Sequence, residues 1–197
     1  MKHETSAGPI LSTPGSTHSA AAQEERRALG LPSEMFAQQA CLERGQERRP
    51  SVPMRAIRAS DVLNEAPDYP QATAFSRGLR VELPGGAILL LLSGTASVGA
   101  HGETLHPGDF QAQCWRTYRN LTRLLESERA GWRDVVRTTC YLRDIERDYD
   151  DFNRIRTEFY TALGLEPFPA STGIQARLCR SDLLVEIEAM AVLPCAR

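Results

Sequence analysis

At 197 residues, 42% hydrophobic and 24% charged, the chain has an ordinary globular composition, with room for one domain and an extension. A net charge of −2 and only 7% aromatic residues argue against a dedicated nucleic-acid binder, which needs a basic groove and stacking rings. No apolar run approaches the roughly 20 residues that span a bilayer, so no membrane partner is expected.

Residues 1 to 53 read as a poorly ordered extension and 54 to 197 as the folded domain. Thr5 to Ala22 is rich in Ser, Thr, Gly, Pro and Ala, which bury too little surface to offset ordering entropy. Glu24 to Arg44 has the pattern of a short helix interrupted at Gly30-Leu31-Pro32, and Met54 is a natural domain start. Behind Met1-Lys2-His3-Glu4 there is no apolar core of a secretory signal, and a cytoplasmic location is expected. Cysteines 41, 114, 140, 179 and 195 are odd in number and lack CxxC spacing, which fits reduced thiols.

The domain then alternates strand and helix signals. Leu79 to Leu83 sets Leu79, Val81 and Leu83 against Arg80 and Glu82, and Pro84-Gly85-Gly86 predicts a hairpin turn. Ala87 to Ser93 is apolar on both faces and therefore central. Asp109 is a plausible N-cap for a helix whose stripe is Phe110, Cys114, Tyr118, Leu121 and Leu125. Asp134 to Leu142 is a β-branched strand. Tyr149, Phe152, Ile155, Phe159 and Leu163 predict the buried stripe of a second helix, stopped by Gly164. Ser171 to Leu178 and Leu183 to Leu193 are the last strands. The order ββαβαββ predicts an α+β fold, with two helices on one face of the sheet and the other face left uncovered.

Two carboxylates stand out in the final strand. Glu186 and Glu188 point the same way, while Val185, Ile187 and Ala189 point the other. A solvated acidic face would account for this alternation. A buried carboxylate instead costs several kcal/mol, as an order of magnitude, unless it is paired or hydrogen-bonded.

Several segments together resemble the RidA/YjgF family, also called L-PSP endoribonucleases. They are Ser93-Gly94-Thr95-Ala96, Pro107-Gly108-Asp109, Val135 to Asp144, Tyr149 to Tyr160 with Phe152-Asn153, Pro169-Ala170, and Val185 to Ala189, in the family's order. The resemblance implies a chorismate-mutase-like/YjgF fold with a mixed sheet, and a homotrimer with sites in the clefts between subunits. RidA-type imine deaminases carry Pro-Ala-Arg, whose Arg holds the substrate carboxylate; here the run is Pro169-Ala170-Ser171. The stretches Ser93 to Gly99, His106 to Asp109 and Cys179 to Glu186 are closer to chorismatases, which hydrolyse an enol ether using a Glu at the position of Glu186.

On this basis Glu186 is the candidate catalytic group, since a carboxyl in a cleft of low dielectric suits proton transfer near neutral pH. Arg77 and Arg143 are the candidate carboxylate clamps, because chorismatase-like proteins carry arginines there and the guanidinium fork matches a carboxylate. Ser93, Gly94, Thr95 and Ala96 would offer polar backbone contacts; Ser171 and Thr172 would offer hydroxyls, and Cys179 would line the cleft. His101 and His106 have no third ligand at an accepted spacing, so neither a metal nor a cofactor is expected. The implied function is hydrolysis of an enamine/imine or enol-ether type carboxylate metabolite. A non-catalytic ligand-binding or interaction protein on the same scaffold is the alternative, and an endoribonuclease is a weaker third.

Overall fold

The computed structural model describes residues 52–60, 63 and 74–194, all within one compact unit, Val52–Arg197. The expected extension, residues 1 to 53, lies outside the described residues except for its last two. Six strands form one sheet in the order β1-β2-β3-β6-β4-β5: β1 Met54–Ala56, β2 Gly78–Glu82, β3 Ile88–Ala96, β4 Val135–Leu142, β5 Ala170–Gln175 and β6 Val185–Leu193. All neighbours are antiparallel except β4 and β5. The sheet is mixed, as expected, because the last strand inserts between β3 and β4. The three-residue β1 at one edge is an addition to the expected order, being too short to show a pattern.

Two helices cover one face. Helix α1, Phe110–Ser127, begins at Asp109, whose carboxylate accepts from the Ala112 N–H at 2.9 Å. Its buried residues include all five of the expected stripe. Helix α2, Ile145–Ala162, is capped in the same way by Asp144, which accepts from Arg147 N–H at 3.1 Å. Here the stripe differs: Phe152 and Ile155 are buried, but Tyr149 and Leu163 are exposed, and Tyr160 and Asp148 are buried instead. Tyr149 sits at the rim, over Gly173 of edge strand β5, and Leu163 is already the C-cap. The helices meet through aromatic rings, with Tyr118 stacked on Phe159 at 4.5 Å and Trp132 edge-on to Phe159 at 5.1 Å.

The core lies between the helices and one sheet face, built from Leu90, Leu92, Cys140, Leu142, Val185, Ile187, Ala189 and Ala191. Strand alternation turns Leu79, Val81, Leu89, Leu91, Met190 and Val192 to the opposite, open face. The hairpin between β2 and β3 closes as predicted: Gly85 and Gly86 take φ of 85° and 84°, a region that favours glycine.

The approach to β6 is held from two sides. Gln113 of α1 is fully buried; its amide donates to the carbonyls of Asp182 (2.8 Å) and His106 (3.1 Å), and its carbonyl accepts from Leu184 N–H (2.8 Å). Arg143, just after β4, donates from Nε to the Leu183 carbonyl at 2.5 Å and from Nη2 to that of Arg180. These bonds set where β6 starts. Gln113→Leu keeps the apolar bulk but leaves the Leu184 N–H and the Asp182 carbonyl without partners. At about 1–3 kcal/mol for each stranded group, it is expected to lose about 2–6 kcal/mol in urea unfolding.

Candidate functional site on the open face of the sheet

Glu186 and Glu188 project from the middle of the open face. β6 is paired on both sides, with Glu186 opposite Ala96 of β3 and Tyr141 of β4, and Glu188 opposite Thr139. The space for the Glu186 carboxyl comes from β3. There the register shifts between Leu92 and Thr95, so that three steps along β3 match two along β6, the count of a β-bulge. Gly94 lies in the bulge, and a Cβ added to it would fall 1.8 Å from Glu186 Oε1. Only a residue without a side chain lets the carboxyl lie there.

Burial, then the neighbouring Glu188 carboxylate, push the Glu186 carboxyl above its ordinary value of 4.5. Tyr141, on the adjacent strand, has its phenol raised by burial and then by Glu188. The arrangement suits a carboxyl that holds a proton to higher pH than usual.

Arg77, Ser93, Gly94 and Ala96 join Glu186 around the bulge. Ser93 donates its N–H to the Arg77 carbonyl (3.1 Å) and its hydroxyl to the Ser76 carbonyl (2.7 Å), tying β3 to the start of β2. Arg77 is buried, with its guanidinium 5.3 Å from the Phe75 ring centre. Thr95 is in register with Ile187 on the core side, and its hydroxyl donates to the Ser93 carbonyl at 3.0 Å. It braces the bulge rather than facing the site. Arg143 directs its guanidinium to the two carbonyls before β6, a positioning contact. Cys179 is exposed in the loop between β5 and β6.

Ser171 and Thr172 part company. Ser171 is in register with Thr138 and hydrogen-bonded to it at 3.1 Å, on the side of the helices. Thr172 is on the open side and accepts from Arg137 Nη2 at 3.3 Å. Ser171 is therefore not brought together with Glu186 in one chain.

The residue that sequence reasoning missed is Arg156 of α2. It donates from Nη1 to Ser171 Oγ (3.0 Å) and from Nη2 to Asn153 Oδ1 (2.6 Å), and its guanidinium lies 5.3 Å from the Phe152 ring centre. The signal was present: Arg156 is four residues after Phe152 and follows Ile155 directly, so a charge occupies the apolar stripe.

Residues 69–193 match the family model described as Endoribonuclease L-PSP. The chain belongs to that family. A RutC family protein of Pyrococcus abyssi is 28% identical over 102 residues, 52% of this chain and 76% of the relative. A chorismatase of Streptomyces rapamycinicus is 32% identical over 126 residues; the match spans 60% of this chain but only 36% of the chorismatase. Among solved structures, the yjgF gene product of E. coli superposes with a TM-score of 0.54 at 26% identity, covering 70% of this chain and 98% of that one. The fold is therefore that of the RidA/YjgF superfamily, and these likenesses support a small-molecule function. No helix among the described residues is long and apolar enough to cross a membrane.

Two variants test the local geometry. Gly94 does not adopt positive φ, so Gly94→Ala is expected to fold with little change in Tm. Its methyl displaces the Glu186 carboxyl toward water, and the carboxyl pKa falls back toward the ordinary range, as read by carbon-detected NMR titration.

The raised pKa also has a consequence for stability. Between the ordinary carboxylate pKa and the raised one, the folded state keeps a proton that the unfolded chain has released, so stability falls as pH rises through that window. Glu186→Gln is expected to be more stable than the parent at neutral pH, with the gain vanishing below the ordinary carboxylate range. Urea midpoints across pH check it.

Proposed function

We propose that this protein is a hydrolase of an enamine/imine or enol-ether carboxylate, with Glu186 as the proton-transfer group. The observation that carries this reading is the Glu186 carboxyl lying over the Gly94 backbone in the middle of the sheet, with its pKa raised by burial. In the protonated form it hands its proton to the sp² carbon of the enol ether or enamine. Water adds to the resulting oxocarbenium or iminium carbon, and the Glu186 carboxylate takes up the proton that water releases. The adduct collapses with loss of an alcohol or amine, and the carboxyl is restored. The chorismatase relative, whose name implies a chorismate substrate, is consistent with the enol-ether version.

The open face supports assembly. Leu79, Val81, Leu89, Leu91, Met190 and Val192 share one apolar face that no helix among the described residues covers, and a surface of this kind is usually buried by association. A homotrimer that places Glu186 in a cleft between subunits is the arrangement proposed, for a cytoplasmic protein. Residues 1 to 53 are proposed to be dispensable for it.

One observation favours the second reading, a non-catalytic ligand binder. Arg143 is committed to backbone carbonyls and Ser171 stands in place of an Arg, so two expected carboxylate contacts are missing beside Glu186.

Steady-state kinetics after screening enol-ether and enamine carboxylates, chorismate among them, separate the two. Glu186→Gln preserves shape but cannot titrate, so kcat is expected to fall by about 10²-fold or more with little change in KM. Undiminished kcat in the folded variant overturns the catalytic assignment, and ligand binding without turnover by the parent favours the binder.

A further inference from the structure

We propose that Glu188, held by the Tyr141 phenol, is a second catalytic carboxylate, whose negative charge faces the cation that protonation of the ligand creates. This deepens the reading above and rests on it for the class of ligand.

The mechanism above leaves Glu188 without a task. It follows Glu186 by two residues on the same open face of β6, and both side chains are half-buried. Two residues along a strand span roughly 6.5 Å. That gap admits the reacting carbons of an enol ether or enamine, the one to be protonated lying toward Glu186 and the one bearing oxygen or nitrogen toward Glu188. Protonation of the first carbon puts positive charge on the second, shared with its heteroatom. A carboxylate already fixed beside that charge lowers the barrier without having to reorganise. Glycoside hydrolysis passes through the same kind of cation and divides the work in the same way, one carboxyl supplying the proton and the other a negative charge.

Tyr141 is what fixes Glu188. On β4 it stands between Ile174 of β5 and Glu186 of β6, so an apolar side chain flanks it on one side and the carboxyls on the other. Glu188 is its diagonal neighbour, at a separation of roughly 7–8 Å that an aromatic side chain bridges. The phenol hydrogen-bonds the Glu188 carboxylate, whereas Glu186 acts on it through charge alone. Burial and then Glu188 hold the phenol's proton above its ordinary value, so through the neutral range it remains a donor.

The two carboxyls therefore have different surroundings. Glu186 lies over the Gly94 backbone, where burial favours its proton. Glu188 has a hydrogen-bond donor, a contact that stabilises negative charge. The side chain opposite it on β4, Thr139, is uncharged, as are Ser93 and Gly94 of the β3 bulge. Of the arginines on these strands, Arg137 turns its Nη2 to Thr172, and Arg77 is buried next to the bulge.

The test is kcat across pH for Glu188→Gln and Tyr141→Phe on enol-ether and enamine carboxylates, with carbon-detected NMR titration of Glu186 in the free proteins. Protonated Glu186 is the active form, so kcat of the parent falls as pH rises through the raised pKa. In Glu188→Gln the neighbouring charge is gone and burial alone remains. The Glu186 titration, and the fall in kcat with it, are expected at lower pH than in the parent. The acid-side plateau of kcat is expected to drop by about tenfold or more, with KM changed by about twofold or less, and Tyr141→Phe to lower it by a smaller factor. If Glu188 did no more than tune Glu186, the plateau would stay level or rise, because Glu186 would be the stronger acid; that result overturns the proposal. A Glu186 titration unmoved in folded Glu188→Gln overturns it with no substrate needed. Full kcat in Glu186→Gln with a lowered plateau in Glu188→Gln keeps the second carboxylate and sinks Glu186 as proton donor. A level plateau in Glu188→Gln with an inactive Glu186→Gln does the reverse, and a parent without turnover overturns both.

Discussion

β6 is hydrogen-bonded along both edges, to β3 and to β4, and this double pairing governs much of the molecule. A strand paired on both sides cannot shift by one residue without breaking both ladders. In this strand a slip would also drive Glu186 and Glu188 into the core and bring Val185, Ile187 and Ala189 out of it. The cost of burying two carboxylates under the helices makes the register unambiguous. The bulge in β3 is then free to serve a local purpose, since it alters the partner strand and not the facing of Glu186.

The same strand carries a conflict between stability and chemistry. Glu186 and Glu188 are two residues apart on one face, and the Glu188 carboxylate disfavours charge on Glu186. A folded chain with no functional need would do better with apolar or amide groups there. Gln113 and Arg143 secure the entry to β6 with bonds to backbone atoms, and the bulge is braced by Thr95 and Ser93. These supports fix the backbone segments that carry Glu186 and Gly94.

The arginines divide by what lies within reach of their long side chains. Arg55 and Arg80 meet the buried carboxylate of Glu128 at 2.7 and 3.4 Å, tying β1 and β2 to the end of α1. Arg143 and Arg180 turn to carbonyls of neighbouring loops. Among the described residues Arg156 meets an amide oxygen, a hydroxyl and a ring rather than a carboxylate.

Periodicity and caps made most of the architecture readable in advance. Asp109 and Asp144 start helices, Gly85-Gly86 turns a hairpin, and the alternation from Val185 to Ala189 tells which way Glu186 faces. Such features are local, set by sterics and hydrogen bonds a few residues apart. The neighbours of Glu186 were not readable in this way. The approach of Gly94 depends on a bulge, and a bulge exists only when two strands distant in sequence are paired. For the same reason Ser171 and Thr172, adjacent in the chain, could not be told apart until β5 had a register against β4. Arg156 reaches Ser171 because a helix packs over a strand edge, a distance that no spacing along the chain encodes.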